Sequence, residues 1–349
     1  MEVSNAGISL CPVFGECGGC LYQDIAYTSE LAIKEEGLKK MLPEGLVRSE
    51  GGIEPIVASP QFYHYRNRLD LKIQRTKTQG VLIGFTPRSG RGIVPVQTCL
   101  IADEKIAGFI PKLKEEAASK LTPRYRQANL TVRTGDGPRV LWGGIGRHSC
   151  RLAPADYFWT EIEGKKIFYS LDTFFQANCS ILPEVFRRIR AFDFWNSQTI
   201  FYDLYGGVGL FGIGLADKVK KVILIEECLS SLELARHNVQ YHQLKNFEII
   251  AGKVEDALAS FLPVDAGSER VAVVDPPRAG LSDHALALLT SAKEFSRILY
   301  LSCHPQALVR DLKEFLQKGW RIERVIPFDF FPRTKHLETL VLLVNGDPL

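Results

Sequence analysis

Cys303 has the surroundings of a nucleophile. It ends the apolar run Ile298, Leu299, Tyr300 and Leu301, which has the composition of a buried parallel strand, and an amphipathic helix is expected over Gln306 to Lys318. In an open α/β sheet, ligands lie beyond the carboxyl ends of the strands, so a thiol there faces a ligand rather than the core. A lone cysteine on a strand is more often inert, and three other strand ends change that weighing. Asp203-Leu204-Tyr205-Gly206-Gly207-Val208-Gly209 closes one strand and opens a helix with a glycine-rich turn that lets a ligand approach the backbone. Glu226, with Glu227 as a competitor, ends the next strand, where an acid can hold ribose hydroxyls. Asp275-Pro276-Pro277-Arg278 ends a third with a rigid turn that could hold a flat base.

A second group of reactive side chains lies near the start of the chain. Cys11, Cys17 and Cys20 fall within ten residues in a C-x5-C-x2-C pattern with glycines between them, and Cys99 is the nearest fourth thiol downstream. Four such ligands can close a tetrahedral zinc site or hold a [4Fe–4S] cluster, and the spacing leaves both open. Crowding of three cysteines, with the other five scattered, argues against a disulfide framework and for a reducing, cytoplasmic setting.

The elements that position these residues fall into two halves, 1–165 and 166–349. After about residue 165, strands and helices alternate in the manner of an α/β, doubly wound parallel sheet. Its expected strands are 199–204, 221–225, 247–251, 271–274, 298–301, 322–327 and 339–344. The first half is β-rich and polarised. Residues 61–100 hold Arg66, Arg68, Lys72, Arg75, Lys77, Arg88 and Arg91 against the single acid Asp70, a net +6 on forty residues. Alternating Leu69, Leu71 and Ile73 predict a strand there, and Phe62, Tyr63, Tyr65 and Phe85 add aromatic faces. Such a surface suits RNA, and equally a plain solvated basic face. Arg124, Arg126, Arg133, Arg139, Arg147 and Arg151 extend it. A helix over 29–42 is expected to bury Leu31, Leu38, Met41 and Leu42 and to stop at Pro43. The overall charge of +3 identifies no partner, and no apolar run is long enough for a membrane span.

Taken in order, the cysteine cluster, Phe174-Phe175-Gln176-Ala177-Asn178, Asp203 to Gly209, Asp275 to Arg278, Ser302-Cys303-His304-Pro305 and His336-Leu337-Glu338 resemble the RNA 5-methyluridine methyltransferases. The resemblance runs from Cys11 to Glu338. It implies a Rossmann-like S-adenosylmethionine domain preceded by a β-rich RNA-binding domain with an iron–sulfur cluster, a [4Fe–4S] cluster on Cys11, Cys17, Cys20 and Cys99. It implies cofactor contacts from Gln176, Tyr205, Gly207, Glu226 and Asp275, with Cys303 as nucleophile, Glu338 as general base and Phe174 near the target base. Gly206 stands where the family often has Cys, and His304 where Asn often follows the nucleophile. The family's N-terminal β-barrel is expected to be missing, because the cluster begins at residue 11; that favours ribosomal over transfer RNA as the partner of a monomeric enzyme.

The implied chemistry is self-consistent. Uracil C5 is a poor nucleophile until a thiolate adds to C6 and turns the ring into an enolate, which can then attack a sulfonium methyl. A carboxylate must afterwards remove the C5 proton so that the thiol is expelled. The base must leave its stack to enter such a pocket. A non-catalytic RNA binder needs neither Cys303 nor Glu338. A nicotinamide enzyme is disfavoured by G-G-x-G in place of G-x-G-x-x-G, and a DNA cytosine enzyme by Ser302, rather than proline, before Cys303.

Overall fold

Residues 9–42, 52–78, 80–120, 126–144, 156–261 and 268–346 are described by the computed structural model of the chain. Cys150, Arg124, Arg147 and Arg151 lie outside the described residues. The first half contains helix α1 (Tyr27–Met41), strands β1 (Arg68–Thr76), β2 (Gly80–Phe85) and β3 (Val94–Pro95), helix α2 (Glu104–Lys120), and strands β4 (Gln127–Thr134) and β5 (Val140–Gly144). The five strands form one antiparallel sheet in the order β3-β2-β1-β4-β5. The expected alternation holds: Leu69, Leu71 and Ile73 on β1 and Val81 and Ile83 on β2 are buried under Ile106, Ile110 and Leu113 of α2. A hairpin, β6 (Phe158–Ile162) and β7 (Lys165–Tyr169), then leads into the second half and shares its core.

The second half continues with α3 (Leu182–Arg190), β8 (Ile200–Leu204), α4 (Leu210–Leu215), β9 (Lys221–Glu226), α5 (Leu229–Tyr241), β10 (Phe247–Ala251), α6 (Val254–Phe261) and β11 (Arg270–Val274). Helix α7 (Asp283–Ser291), β12 (Arg297–Ser302), α8 (Pro305–Gln317), β13 (Arg321–Phe328) and β14 (Glu338–Val344) complete it. The seven strands stand in the order β10-β9-β8-β11-β12-β14-β13. Successive residues alternate between two cores: Phe201, Val273 and Leu299 face one side, and Tyr202, Val274 and Tyr300 the other.

Two expectations need correction. The sheet is not wholly parallel, because β14 runs against both β12 and β13. The connection from Phe328 to Glu338 is too short for a crossover, so the chain turns back as a hairpin and slots β14 beside β12. The second correction concerns α1, which buries Glu30, Lys34 and Leu38, while Met41 is exposed and Leu31 half-buried. Its inward stripe is charged because acids and bases from the β13–β14 turn meet it there.

The seam between the halves is stitched by backbone. Residues Ile53 and Val57 bridge in parallel to Val325 and Phe328, which covers the free edge of β13.

Candidate active site

The order of the sheet reverses direction between β8 and β11, and the crevice at that switch is where open α/β sheets bind ligands. The turn after β8 lines it. Tyr205 adopts φ 59°, and Gly207 and Gly209 take 55° and 90°, so the chain curls through left-handed conformations that keep its amides accessible. Asp203, buried beneath the turn, accepts the Gly212 N–H at 2.8 Å, and burial holds its carboxyl well above the usual carboxylate range. Glu226, at the end of β9, accepts the Gly207 N–H at 2.9 Å on one oxygen and the Cys228 N–H at 2.7 Å on the other. Each oxygen keeps a second lone pair, enough to receive a pair of hydroxyls. Its competitor Glu227 is exposed.

A second cluster occupies the same sheet edge. Ser302 on β12 pairs with Thr339 on β14, and continuing that antiparallel register by one sets Cys303 opposite Glu338. Asp275, at the end of β11, accepts from Gln176 Nε2 at 3.4 Å. These groups feel one another. Burial, then the Glu338 and Asp275 carboxylates, push the Cys303 thiol up to about 11, with Arg278 acting in the opposite sense. Burial and the neighbouring Asp275 hold Glu338 well above the carboxylate range, and burial raises Asp275 to about 7. Burial and the cations around it, Arg278 first, lower His336 to about 4, which keeps that imidazole neutral. A thiol, two carboxyls of raised pKa and one guanidinium can support nucleophilic addition followed by proton removal.

The loop between β7 and α3 reaches this corner through Gln176. Phe174 at its tip is 66% exposed, whereas Gln176 is buried. Sequence reasoning placed Arg133 on a basic surface; the structure buries it completely. Its guanidinium donates to the carbonyls of Ser170, Thr173 (2.6 Å) and Phe175 (3.3 Å) and lies over the Tyr169 ring at 4.9 Å. Asn67 adds a bond from Nδ2 to the Gln176 carbonyl at 2.9 Å. With its carbonyls drawn inward, the loop turns the Phe174 side chain outward. No sequence signal marked Arg133, since its neighbours in the chain are ordinary strand residues. Other cations of the basic stretch are likewise tied locally: Arg68 pairs with Asp70 at 3.0 Å, and Arg88 donates to the Cys20 carbonyl at 2.7 Å.

Cys11, Cys17, Cys20 and Cys99 all line one cavity of about 150 Å³, together with Leu69 of β1 and Phe85 of β2. Gly18 packs so close to Thr86 that an added Cβ would sit 2.9 Å from the Thr86 carbonyl oxygen, and Cys17 bridges to Pro87. Burial pushes Cys20 up to about 12 and Cys99 to about 11. Among the described residues no group of three His, Cys, Asp or Glu side chains is set to hold a single metal ion. None of the seven described cysteines is in a disulfide.

A sequence model of the tRNA (uracil-5-)-methyltransferase family matches residues 156–345, more than half of the chain. The chain belongs to this family. It is an RNA (uracil-5-)-methyltransferase. An uncharacterized RNA methyltransferase of Clostridium tetani is 28% identical, covering 97% of this chain and 84% of its own. The 23S rRNA (uracil(1939)-C(5))-methyltransferase of Haemophilus parainfluenzae is 27% identical, covering 96% of this chain and 82% of its own. In fold, the chain is similar to the tRNA (uracil-54, C5)-methyltransferase of Pyrococcus abyssi, solved with S-adenosyl-L-homocysteine. That likeness has a TM-score of 0.70 and 22% identity over 94% of this chain and 86% of the other.

The two departures from the family pattern have local reasons. A Cβ on Gly206 would meet Leu224 Cγ at 2.6 Å, so this packing leaves no room for a cysteine. His304 caps α8, its Nδ1 accepting the Ala307 N–H at 3.3 Å, a role asparagine fills equally well.

Proposed function

We propose that the enzyme transfers a methyl group from S-adenosylmethionine to C5 of a uridine in RNA through a covalent bond between Cys303 and C6. The observation that carries this reading is the reversal of β14, which sets Glu338 beside Cys303 at the ligand edge of the sheet. In this reading Cys303 attacks C6 as thiolate, and Asp275 and Gln176 orient the base. Glu338 takes the C5 proton as the C6–sulfur bond breaks and the thiolate leaves. Tyr205, Gly207, Glu226, Gln176 and Asp275 line the place of S-adenosylmethionine, which supplies an electrophilic methyl group. Glu226 holds the ribose, and Phe174, exposed beside the site, contacts the target base.

The substrate proposed is ribosomal RNA, with transfer RNA as the second reading. The Haemophilus enzyme supports the first across nearly the whole chain, and the Pyrococcus enzyme supports only the fold. We assign Cys11, Cys17, Cys20 and Cys99 to a [4Fe–4S] cluster. The four thiols line one cavity, and the resemblance of the C-x5-C-x2-C motif to that of the RNA 5-methyluridine methyltransferases favours, over zinc, a cluster that takes each thiolate on a different iron. Its role is to brace the RNA-facing half. Protein purified without oxygen should hold about four irons per chain and no zinc; one zinc and no iron would reverse the assignment.

Labelled S-adenosylmethionine given to rRNA and tRNA that lack 5-methyluridine tests the reaction. Label in 5-methyluridine of one RNA supports it and names the substrate. Label on another atom of uracil, or on another base, refutes it.

A further inference from the structure

The charged stripe buried by α1 meets the turn that joins β13 to β14, and Arg333 is the centre of that contact. Arg333 is 5% exposed and sits at φ 68°, a left-handed conformation that a residue with a Cβ keeps only where its surroundings over-determine it. Its carbonyl accepts the N–H groups of Leu21 (2.7 Å) and Tyr22 (3.2 Å), the two residues that follow Cys20. Its guanidinium donates to the carbonyls of Tyr22 (3.2 Å) and Ile25 (3.0 Å) and is enclosed by the rings of Tyr27, Phe62 and Tyr63 at 5.5, 5.0 and 4.8 Å. Its own N–H donates to Glu30 at 2.7 Å.

The rest of the turn is gripped by the same elements. Lys34 pairs with both Glu30 and Asp329 at 2.7 Å and donates to the Phe331 carbonyl, and the Tyr65 hydroxyl donates to the Pro332 carbonyl at 2.9 Å. Beyond Arg333 the chain runs through Thr334, whose hydroxyl accepts the His336 N–H at 3.2 Å, and Glu338 follows two residues later at the start of β14. Glu338 is therefore held on one side by its pairing with Phe328 on β13 and on the other by a turn that the first half of the chain immobilises.

We infer that Arg333 is a positioning residue for Glu338, tying the segment that carries Cys11, Cys17 and Cys20 to the turn that aims this carboxylate at the C5 proton. The inference rests on the proposed role of Glu338 as general base. In the step concerned, the C5–H bond breaks and its proton passes to Glu338. The electrons of that bond restore the C5–C6 double bond, and the C6–sulfur bond breaks to return the Cys303 thiolate. Displacement of the carboxylate slows this step alone. Nucleophilic attack and methyl transfer, which use Cys303 and the crevice at β8 and β11, proceed.

The test uses full-length Arg333→Met, which keeps an apolar stem among the three rings, and Arg333→Lys, which keeps the charge but not the flat guanidinium that the three rings enclose. Glu338→Gln runs beside them. Each is incubated with RNA and S-adenosylmethionine, the covalent protein–RNA adduct is read on a denaturing gel, and S-adenosylmethionine affinity is measured by calorimetry. The expected result is a turnover lowered about 100-fold in Arg333→Met, less in Arg333→Lys, with methylated adduct accumulating in both and cofactor affinity unchanged. Adduct in Glu338→Gln but none in the Arg333 variants overturns the inference and leaves the base assignment standing. Loss of cofactor binding together with adduct in both Arg333 variants reduces Arg333 to a folding role and also overturns it. Absence of adduct in Glu338→Gln removes the base assignment, and the inference with it.

Discussion

In the free enzyme Cys303 should be a slow thiol, and Glu338 should be one of the reasons. Its thiol stands at about 11 against 9.0 for an unperturbed cysteine, which makes its thiolate about 100-fold scarcer across the neutral range. A thiolate of higher pKa is intrinsically more nucleophilic, and two units with a Brønsted slope near 0.5 return about tenfold. Alkylation of Cys303 by iodoacetamide should thus run about tenfold below that of an unperturbed thiol. Cys228 provides an internal reference: it is exposed, burial raises its thiol, and hydrogen bonds with Ser230 and Ser231 outweigh this and leave it below 9.0. Peptide mapping of timed alkylation from pH 7 to 10 should show Cys228 modified first. The Cys303 rate should climb about tenfold per pH unit without a plateau. The perturbation is Glu338→Gln. Burial is the larger cause of the raised thiol and the Glu338 carboxylate the next, so removing that charge predicts a faster Cys303. Because Glu338 is itself held well above the carboxylate range, the difference should open as the pH rises and the wild-type carboxylate ionises. Alkylation of Cys303 as fast as Cys228 at pH 7.5 would mean a preformed thiolate. A slower Cys303 in Glu338→Gln would mean that the carboxylate supports the thiolate rather than opposing it. Either result refutes the electrostatic reading of the site.

Arg133→Met should leave the buried carbonyls of Ser170, Thr173 and Phe175 without their donor, at about 1–3 kcal/mol each. Relief of a guanidinium that burial has lowered to about 10 offsets part of this. A net loss of about 3–4 kcal/mol in a denaturant titration and a raised KM for RNA are expected; unchanged stability would contradict the clamp. Asp275 is raised by burial from 3.8 to about 7, so the folded chain keeps a proton that the unfolded chain has released. Its contribution is complete below about pH 4 and is lost as the pH rises to about 7; Asp275→Asn should therefore gain roughly 3–5 °C in Tm relative to wild type between pH 4 and 8. A constant difference across that range would show that Asp275 titrates normally. Glu226→Gln can no longer accept both amides that now meet its carboxylate, and its S-adenosylmethionine affinity should fall about 10- to 100-fold by calorimetry; a change under twofold would exclude Glu226 from the ribose site.

Much of the second half was legible in the chain itself. Runs such as Ile298 to Leu301 and Val271 to Val274 are apolar on both faces, and only a strand buried on both sides of a sheet needs that composition. The glycine-rich turn after Asp203 and the proline pair after Asp275 are local features, bounded by the same strand ends that the structure displays. Charges were read less well. Glu30, Lys34 and Arg133 look like surface residues in sequence, and each is buried because it has partners that come from 37 to 303 residues away. The inward stripe of α1 could not be read from periodicity, since the usual apolar signal is replaced there by an ion network.

The sequence by itself determined which residues are able to do chemistry. A thiol, a carboxylate and a glycine-rich turn at strand ends are set by residue type and local strand propensity, and the four cysteines by their number and spacing. Tertiary structure alone decided that Cys303 and Glu338 share one site. Had β14 run parallel to β12, Glu338 at its start would stand at the opposite edge of the sheet, a strand's length from the thiol. The short β13–β14 turn forbids a crossover and forces the reversal, and a strand's direction within a sheet is written in its connections and pairing rather than in its own residues.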